Sequence, residues 1–404
     1  MNRKMNGKAT RKMVVFSTCP ILGWHIYGGI GVRYTNLLNH LSSGYSIKVI
    51  SVGGWLNRPE TRCNAFFEER TMEDGLPVQV LRSAITRWFG ANAGEIVFPY
   101  YPPSRSFEAE ARKAIEDTDV IMCVRPYSYH MIKRLAQELG KPIVMDSSDV
   151  EDDAKTHHIR DMPFKDRLLS MVRDIEREAC DGSRIIFSVS DEDRNALSAT
   201  YGIRKSRIIT AHNGLSERSS VDKAGARGRL GIAGDAKVAI FLGSGYVTNT
   251  DAAKVIADMA PSFPDLTFIL IGGVCSLFKK TRKPDNVVLL GYVSDERKEL
   301  YLAASDIGLN PIVRGSGSNT KIGDYLSVSM PVVTTRIGAR GWDMDCVALM
   351  AETEADFQQK LRMALDEPGL MEELSVRSAR HAERFRWKDI AARMDAAISG
   401  LISR

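Results

Sequence analysis

Short runs of β-branched and aliphatic residues alternate with helix-forming stretches through the whole sequence, and this alternation leaves few folds open. Strands separated by helices are typical of βαβ units, which build parallel sheets. The sequence therefore predicts an α/β protein. The predicted strands cover residues 13–17, 46–52, 120–124, 142–146, 184–189 and 207–211, and then 237–242, 266–271, 286–290, 306–310 and 331–335.

The alternation stops once, between residues 213 and 234, where Gly, Ser, Arg and Asp dominate. A chain of 404 residues is longer than a single hydrophobic core usually serves. We therefore predict two doubly wound, Rossmann-like domains that face each other across a cleft. The predicted bounds are a basic tail at 1–12, an N-terminal domain at 13–213, a linker at 214–234, a C-terminal domain at 235–385, and a final amphipathic helix at 386–404 that packs back toward the N-terminal domain.

Positive charge is concentrated in the first twelve residues, which contain no acid. The chain has a formal net charge of +5, and these residues alone supply it, so the rest of the chain sums to zero. A protein that binds nucleic acid usually carries a basic face on its folded part, and we exclude that class of partner. The tail is either a loose, solvated terminus or a weak contact with an anionic membrane surface. Its basic residues are Arg3, Lys4, Lys8, Arg11 and Lys12.

Cysteine usage and hydropathy predict a cytoplasmic protein, with or without contact to the cytoplasmic face of a membrane. No run of about 18 apolar residues occurs. The apolar stretch at 13–30 is interrupted by His25 and several glycines, which argues against a signal peptide. The six cysteines show no C-x-x-C spacing, so we expect reduced and mostly buried thiols.

The first glycine-rich loop follows the first predicted strand and contains Gly28, Gly29 and Gly31, with Arg33 in the helix behind it. Glycines between a strand and a helix let backbone N–H groups approach an anion. The spacing is not G-x-G-x-x-G, and no acid near the end of the second strand could hold a ribose, which disfavours a dinucleotide site. A tight turn without a ligand is the alternative.

The second glycine-rich loop follows the predicted strand at 306–310. Its glycines would expose backbone donors at the start of a helix, where Lys321 adds a positive charge and Asp324 lies on the same helical face. Two interpretations stay open. Either Lys321 and Asp324 form an intrahelical ion pair, or they bind one nucleotide, with Lys321 on a diphosphate and Asp324 on the ribose hydroxyls.

Six segments in a fixed order then resemble one family. Residues 315–335, GSGSNTKIGDYLSVSMPVVTT, are similar to the donor-binding segment of GT-B glycosyltransferases of family 4 (glycosyl transferases group 1), with a glycine loop, a Lys, an acid and a PVV strand. The other five cover nearly the whole chain: the first glycine loop with Arg33, SVSDEDRNAL followed by HNGL, FLGSGYVTN, LLGYVSDE, and Phe385-Arg386-Trp387.

The resemblance implies a retaining, metal-independent enzyme that moves a sugar from a nucleotide diphosphate sugar to an acceptor hydroxyl, with no other cofactor. Lys321 would offset the charge of the leaving diphosphate, and Asp324 would hold the ribose. The acceptor would be a glycan, a lipid-linked molecule or a small molecule, in bacterial polysaccharide or glycoconjugate synthesis. The remaining donor-binding residues that it implies are Gly28, Gly29, Ser244, Asn249, Tyr292, Val293, Arg314, Gly315, Ser316, Gly317, Ser318, Asn319 and Thr320.

The sequence departs from the family pattern at its acids and its histidine. The first acid of the family's E-x7-E pattern is Ser316 here, and the second is Asp324, one methylene shorter. Many members have a His beside the donor sugar where this chain has Ser148. These changes fit a divergent, active branch or a silent subunit that binds a nucleotide or a glycan without turnover. A non-hydrolysing nucleotide-sugar epimerase, which shares the two-domain architecture, is a third alternative.

The sequence also departs at the cations that many members place after the first strand of the second domain. Here those positions hold Ser244 and Asn249. Lys321, helped by Arg314, would therefore have to supply most of the positive charge toward the diphosphate.

Two acidic or histidine-containing groups are better explained without a metal. Asp343 and Asp345 form a D-x-D, but two carboxylates without further ligands fix no coordination geometry. His157 and His158 lie near three acids at 151–153 in what we expect to be a solvated loop. We predict no metal site, and no G-x-S-x-G sequence supports serine hydrolase chemistry.

Overall fold

The computed structural model describes residues 11–22, 29–52, 60–72, 76–89, 91–101, 103–215, 221–279, 282–315 and 317–403. It divides the chain into two compact units. One combines Met1–His212 with Trp387–Arg404, and the other is Asn213–Arg386. Both are α/β, as the alternation predicts.

The first unit is built on an eight-stranded sheet of order β3-β4-β2-β1-β5-β6-β7-β8, in which only the β3–β4 pair is antiparallel. Its strands are β1 Arg11–Ser17, β2 Tyr45–Val52, β3 Glu60–Cys63, β4 Glu68–Met72, β5 Val120–Val124, β6 Ile143–Ser147, β7 Ile185–Ser188 and β8 Ile208–Thr210. Its helices are α1 Gly29–Leu41, α2 Leu76–Phe89, α3 Ala91–Val97, α4 Arg105–Glu116, α5 Arg125–Glu138, α6 Glu151–His158, α7 Lys165–Gly182, α8 Asp191–Tyr201 and, late in the chain, α15 Trp387–Ile402.

The second unit has a six-stranded, all-parallel sheet of order β11-β10-β9-β12-β13-β14. Its strands are β9 Lys237–Leu242, β10 Leu266–Ile271, β11 Val287–Gly291, β12 Ile307–Asn310, β13 Val332–Thr335 and β14 Leu349–Ala351. Its helices are α9 Lys223–Leu230, α10 Val247–Met259, α11 Asp295–Ala304, α12 Thr320–Ser327, α13 Glu354–Asp366 and α14 Leu370–Ala382.

Short 3-10 helices occur in both units. They cover Phe98–Tyr100 and Lys205–Arg207 in the first unit, and Ala260–Ser262, Gly273–Lys279 and Glu383–Phe385 in the second.

Every predicted strand is present, with ends that differ from the prediction by at most two residues. Strands β3, β4 and β14 are not predicted from the sequence. The segments of β3 and β4, ETRC and EERTM, are too polar to be read as strands, and β14 has only three residues. All three lie at or beside a sheet edge, where strands are less buried and can contain more polar residues.

Each sheet is covered on both faces, so its central strands are apolar in both directions. In β1, Val14 and Phe16 join the core on one face, and Met13 and Val15 join the core on the other. This division follows from the alternation of side chains along a strand. Doubly wound sheets of this kind bind ligands at the carboxyl ends of their strands, where the strand order reverses.

The late helix α15 completes the core of the first unit. Ile390, Met394 and Ile398 are fully buried in the cluster that also holds Leu37 and Leu38 of α1. Full burial of one aliphatic side chain stabilises a fold by about 1.5 to 3 kcal/mol. These contacts make α15 an integral part of this unit.

The segment expected as a linker, residues 214–234, contains α9, which the structure assigns to the second unit. Ala226 packs against Leu300 and Ala304 of α11. The buried Arg227 donates hydrogen bonds to the carbonyl of Ala304 and to the carboxylate of Asp306. With eight residues, two of them glycine, α9 has too little apolar periodicity to be recognised from its sequence.

The predicted tail is shorter than expected within the described residues, because Arg11 and Lys12 begin β1, while residues 1–10 lie outside them. No described helix is both long and apolar enough to span a bilayer. The cysteines are free thiols, but the expectation that most are buried holds only for Cys123 and Cys180, since Cys63 and Cys346 are exposed.

Candidate functional site

The predicted donor-binding residues of the second unit lie on loops at the carboxyl ends of β9, β11 and β12. The chain runs from β9 outward to β10 and β11 and then returns to β12 on the other side of β9. The strand order therefore reverses between β9 and β12. In doubly wound sheets this switch point is where ligands bind.

Three predicted residues are joined by hydrogen bonds at this point. Lys321, in the first turn of α12, is 8% exposed, and its Nζ donates to Oδ1 of Asn249 at 3.0 Å. Asn249 in turn donates from Nδ2 to Oγ of Ser244 at 2.9 Å. Lys321 Nζ also lies 5.2 Å from the centre of the Phe241 ring. The loops after β9 and β12 thus meet at the Lys321 ammonium group.

The charge of Lys321 is poorly compensated. Burial lowers its pKa from the usual 10.5 to about 7, and the more distant Asp324 opposes this shift only partly. Its hydrogen-bond acceptor is a neutral amide, and no ion pair of Lys321 occurs among the described residues. An anion bound at this point would restore the stability of the protonated amine.

Asp324 pairs with Lys298, a residue that the sequence motifs do not single out. Its Oδ1 accepts a hydrogen bond from Nζ of Lys298, in α11, at 3.2 Å. The intrahelical ion pair between Lys321 and Asp324 was therefore the wrong alternative. Burial raises the pKa of Asp324, and Lys298 opposes that shift. Lys298 lies two residues after the LLGYVSDE segment, but only the packing of α11 beside α12 shows that it pairs with Asp324.

Glycines shape the loop between β12 and α12. Gly315 and Gly317 have φ angles of +138° and +67°, which side-chain-bearing residues rarely adopt. Below the loop, a Cβ on Gly341 would lie 2.7 Å from Ser318. The Ser318 hydroxyl is buried without a hydrogen-bond partner among the described residues. Ser316 lies outside the described residues.

The end of this loop is fixed to the neighbouring segment after β13. Asn319 donates from Nδ2 to the carbonyl of Ile337 at 2.9 Å, and its own carbonyl accepts from Nε1 of the buried Trp342 at 2.9 Å. Thr320 begins α12 and is exposed. These contacts hold the first turn of α12, and with it Lys321, in place.

Arg314 is already paired. Its guanidinium donates to the carboxylate of Asp251, in α10, which the sequence analysis did not single out. This pairing joins the loops after β9 and β12 a second time, and it reduces the positive charge that Arg314 offers to a ligand.

Tyr292 and Val293 follow β11 directly. Tyr292 is 76% exposed, and Gly291 before it has a φ of +65°. A Cβ on Gly273 would lie 2.6 Å from the Tyr292 hydroxyl, so that close approach requires glycine. Val293 packs against the core of the second unit. This leaves an exposed aromatic ring at a loop that the family resemblance implies in donor binding.

Fewer of the predicted donor contacts of the first unit can be described. Gly29 begins α1, and Gly28 lies outside the described residues. Arg33 is buried and donates to both carboxylate oxygens of Asp146, at 3.0 and 2.8 Å. At the carboxyl end of β6, the hydroxyl of Ser148 is buried with no hydrogen-bond partner within the described part of the chain.

The two D-x-D carboxylates are engaged by arginines. Asp343 accepts from Arg384 at 2.8 Å, and Asp345 lies 3.6 Å from Arg336. Among the described residues no group of three or more His, Cys, Asp or Glu side chains is placed to hold a metal ion.

Comparison with known proteins agrees with this geometry. Residues 236–367 match the family model of glycosyl transferases group 1. The whole chain resembles sucrose-phosphate synthase from Thermosynechococcus elongatus, with a TM-score of 0.76 and 12% identity over 97% of this chain and 99% of that one. No curated protein sequence matches the chain.

Two further solved structures share the fold. Anabaena Alr3699/HepE in complex with UDP and glucose has a TM-score of 0.67 and 12% identity, covering 96% of this chain and 99% of its own. WaaG, a glycosyltransferase involved in lipopolysaccharide biosynthesis, has a TM-score of 0.66 and 14% identity, covering 96% of this chain and all of its own. The match to glycosyl transferases group 1 at residues 236–367, set in a fold that extends over nearly the whole chain and is shared with glycosyltransferases, supports a GT-B glycosyltransferase of group 1.

Proposed function

We propose that the protein is a retaining glycosyltransferase that needs no bound metal and transfers a sugar from a nucleotide diphosphate sugar to an acceptor hydroxyl. The observation that carries this proposal is the buried Lys321 ammonium, held by the neutral Asn249 where the strand order reverses. A buried and poorly compensated ammonium group is stabilised strongly when a negatively charged diphosphate binds beside it.

Lys321 supplies the charge that the leaving diphosphate needs. When the bond between the sugar and the diphosphate breaks, negative charge grows on the leaving oxygen. A preorganised cation in a site with little water stabilises that charge most strongly in the transition state. Backbone N–H groups in the first turn of α12 would add to this stabilisation, since the first turn of a helix leaves such groups without partners in the helix. The residues that would line the phosphates are Gly315, Ser316, Gly317, Ser318, Asn319 and Thr320.

Asp324 binds the ribose through its second oxygen in this proposal. Oδ1 is held by Lys298, while Oδ2 makes no hydrogen bond among the described residues and can accept from the ribose hydroxyls. Lys298 opposes the rise in the Asp324 pKa that burial causes. Tyr292 would stack on the base, and Val293 would support it from the core side.

The acceptor hydroxyl attacks from the face that the diphosphate leaves, and its proton passes to the leaving phosphate oxygen. The sugar then keeps its anomeric configuration, and the reaction requires no carboxylate nucleophile. We place the enzyme in the cytoplasm, in polysaccharide or glycoconjugate synthesis, acting on a glycan, lipid-linked or small-molecule acceptor with at most a weak membrane contact. The UDP in the HepE complexes supports UDP sugars as the first donors to test.

A silent binding subunit is the second candidate, and the site itself supplies the observation in its favour. Ser148 replaces the family's histidine, and its buried hydroxyl has no partner among the described residues. A site that has lost this side chain could retain donor binding without turnover.

A thermal-shift panel of nucleoside diphosphates and nucleotide sugars tests donor binding, because a ligand that binds only the folded state raises its melting temperature. Release of the nucleoside diphosphate from the best binder is then measured with and without candidate acceptors. A stabilising donor that turns over supports the transferase. A stabilising donor that is never cleaved supports the silent subunit, and isomerised donor without an acceptor would indicate an epimerase.

A further inference from the structure

A shallow cavity of about 620 Å³, broadly open to solvent, lies in the first unit, where α5, α7 and the 3-10 helix Phe98–Tyr100 meet. None of its lining residues belongs to the donor-binding loops of the second unit or to the glycine loop before α1. Its size is within the usual range of small-molecule sites, about 300 to 1,000 Å³.

Tyr129 provides a hydroxyl at this cavity that the fold does not use. The residue is 3% exposed and borders the cavity beside Gly182. A Cβ on Gly182 would lie 1.8 Å from the Tyr129 hydroxyl, so glycine is what makes room for it. The hydroxyl forms no hydrogen bond among the described residues. Burial and the neighbouring Glu178 raise its pKa to about 12, so it stays protonated and can both donate and accept.

Two unpaired carboxylates lie along the rim. Asp174 and Asp181 are exposed and two turns apart on α7, and neither forms an ion pair or a side-chain hydrogen bond within the described residues. Glu178 lies between them but is engaged by Lys133 and by Nδ1 of His130, the latter at 2.8 Å. The free acceptors at the cavity are therefore Asp174 and Asp181.

Hydrogen-bond donors and an aromatic surface complete the lining. The guanidinium of Arg177 lies over the Tyr201 ring, 5.4 Å from its centre, with no carboxylate partner among the described residues. The Gln137 amide also borders the cavity. The Tyr100 ring is 43% exposed, packs 5.2 Å from the His130 ring between centres, and is fixed by a hydrogen bond from its hydroxyl to the carbonyl of Met171.

The balance of these groups selects the class of ligand. Asp174 and Asp181 repel an anion, and Arg177 offsets one of their two charges, so that little net charge is left to attract a cation. Burial lowers the pKa of His130, so the imidazole adds no positive charge at neutral pH, and the charges of Lys133 and Glu178 offset each other. The cavity therefore presents carboxylate acceptors and a guanidinium donor beside the aromatic ring of Tyr100.

A sugar ring fits this alternation. Its hydroxyls donate to carboxylates in charge-assisted hydrogen bonds and accept from a guanidinium, and its C–H face packs on an aromatic ring. We propose that this cavity binds a neutral saccharide through Tyr100, Tyr129, Asp174 and Arg177, at a site separate from the donor site.

Isothermal titration calorimetry of the full chain with maltotetraose, isomaltotetraose and cellotetraose tests the proposal, with spermidine and citrate as charged comparators. At least one tetrasaccharide should bind saturably with a millimolar Kd. Saturating UDP should leave that Kd within twofold, because none of the cavity residues belongs to the donor loops. The measurement involves no glycosyl transfer, so its outcome is independent of the proposed function.

Matched substitutions locate the binding. Tyr100→Ala and Asp174→Asn should each weaken it tenfold or more, and Tyr129→Phe at least threefold. Phe66→Ala, another exposed aromatic of this unit, and Asp166→Asn, at the start of α7 outside the cavity, should leave it unchanged. Circular dichroism checks that each variant is folded. No tetrasaccharide binding at 20 mM, binding only of a charged comparator, or binding insensitive to the first three variants would overturn the proposal.

Discussion

Nζ of Lys321 lies 3.0 Å from Oδ1 of Asn249, so a buried ammonium group at the head of α12 is held by an amide rather than by a carboxylate. A carboxylate there would stabilise the cation permanently and would also repel a diphosphate. The amide orients the lysine and leaves its charge available. This relationship is the basis of the first two predictions.

Lys321→Ala should lower kcat by about 100-fold or more while the melting temperature changes little. Removal of one group that stabilises transition-state charge typically costs about 10²- to 10³-fold in rate. The buried amine contributes little to folding because its burial already disfavours the charged form. Steady-state kinetics and thermal unfolding measure the two effects. Near-wild-type turnover in the variant would remove Lys321 from the reaction.

Nucleotide-sugar affinity should fall as the pH rises above neutrality. The Lys321 pKa of about 7 belongs to the free protein, and a bound diphosphate favours the protonated amine, so binding takes up a proton above that pH. Between pH 7 and 9 we expect the Kd to rise by up to about tenfold per pH unit. Calorimetric titration of a nucleotide sugar, whose diphosphate charge is constant in this range, measures the dependence.

Lys321→Met provides the control for that pH dependence, since its side chain has similar length and no titrating group. Its affinity should be weak and nearly constant from pH 7 to 9. A variant that retains the wild-type slope would assign the titration to another group, and Asp324 with its partner Lys298 would be examined next.

Asp324→Asn should weaken nucleotide-sugar binding by about 1 to 3 kcal/mol, the usual range for hydrogen bonds to a charged group. The fold should remain intact, because an amide of the same size can still accept from Lys298. The nucleoside monophosphate and the nucleotide sugar are titrated into both proteins. Equal affinities would place the ribose elsewhere.

Transfer activity should survive incubation with EDTA. Lys321 and the first turn of α12 are proposed to carry the charge that a divalent cation would otherwise supply, and arginines already engage Asp343 and Asp345. Initial rates are compared before and after chelation and after re-addition of Mg²⁺ or Mn²⁺. Complete loss with EDTA and recovery with metal would contradict the metal-independent mechanism.

Ile390→Ala should destabilise the first unit by about 2 to 5 kcal/mol, the range for truncating a fully buried large aliphatic side chain. Ile390 is 0% exposed and lies in the core shared by α15 and α1. Lys388→Ala, at an exposed position two residues earlier, is the matched control. Denaturant unfolding of both variants measures the difference, and equal stabilities would show that α15 contributes little.

The central strands of both sheets could be predicted because a strand that is buried on both faces consists of consecutive apolar residues, as in residues 237–242. The edge strand β3 could not, because one side of an edge strand has no partner and tolerates polar residues. The helix α9 was missed for a related reason: it is held by the hydrogen bonds of Arg227 as well as by a short apolar face.

The position of Lys321 at the reversal of strand order could be predicted, because the residue follows a glycine-rich loop at the carboxyl end of a strand. The partners Lys298 and Asp251 could not, because each comes from a different helix whose packing the sequence does not specify. Local spacing suggested that Asp324 pairs with Lys321 one turn away. The fold instead brings α11 beside α12, and a tertiary partner replaces the local one.

The return of α15 to the first unit has a consequence for the order in which the chain can fold. The second unit is one continuous stretch, residues 213–386, whereas the first is closed only by residues synthesised after that stretch. During synthesis on the ribosome, Leu37 and Leu38 of α1 therefore cannot pack against α15 until the whole second unit has been made. The face of α1 that α15 covers is therefore without this partner through most of the synthesis of the chain. During that period a chaperone could bind this apolar face.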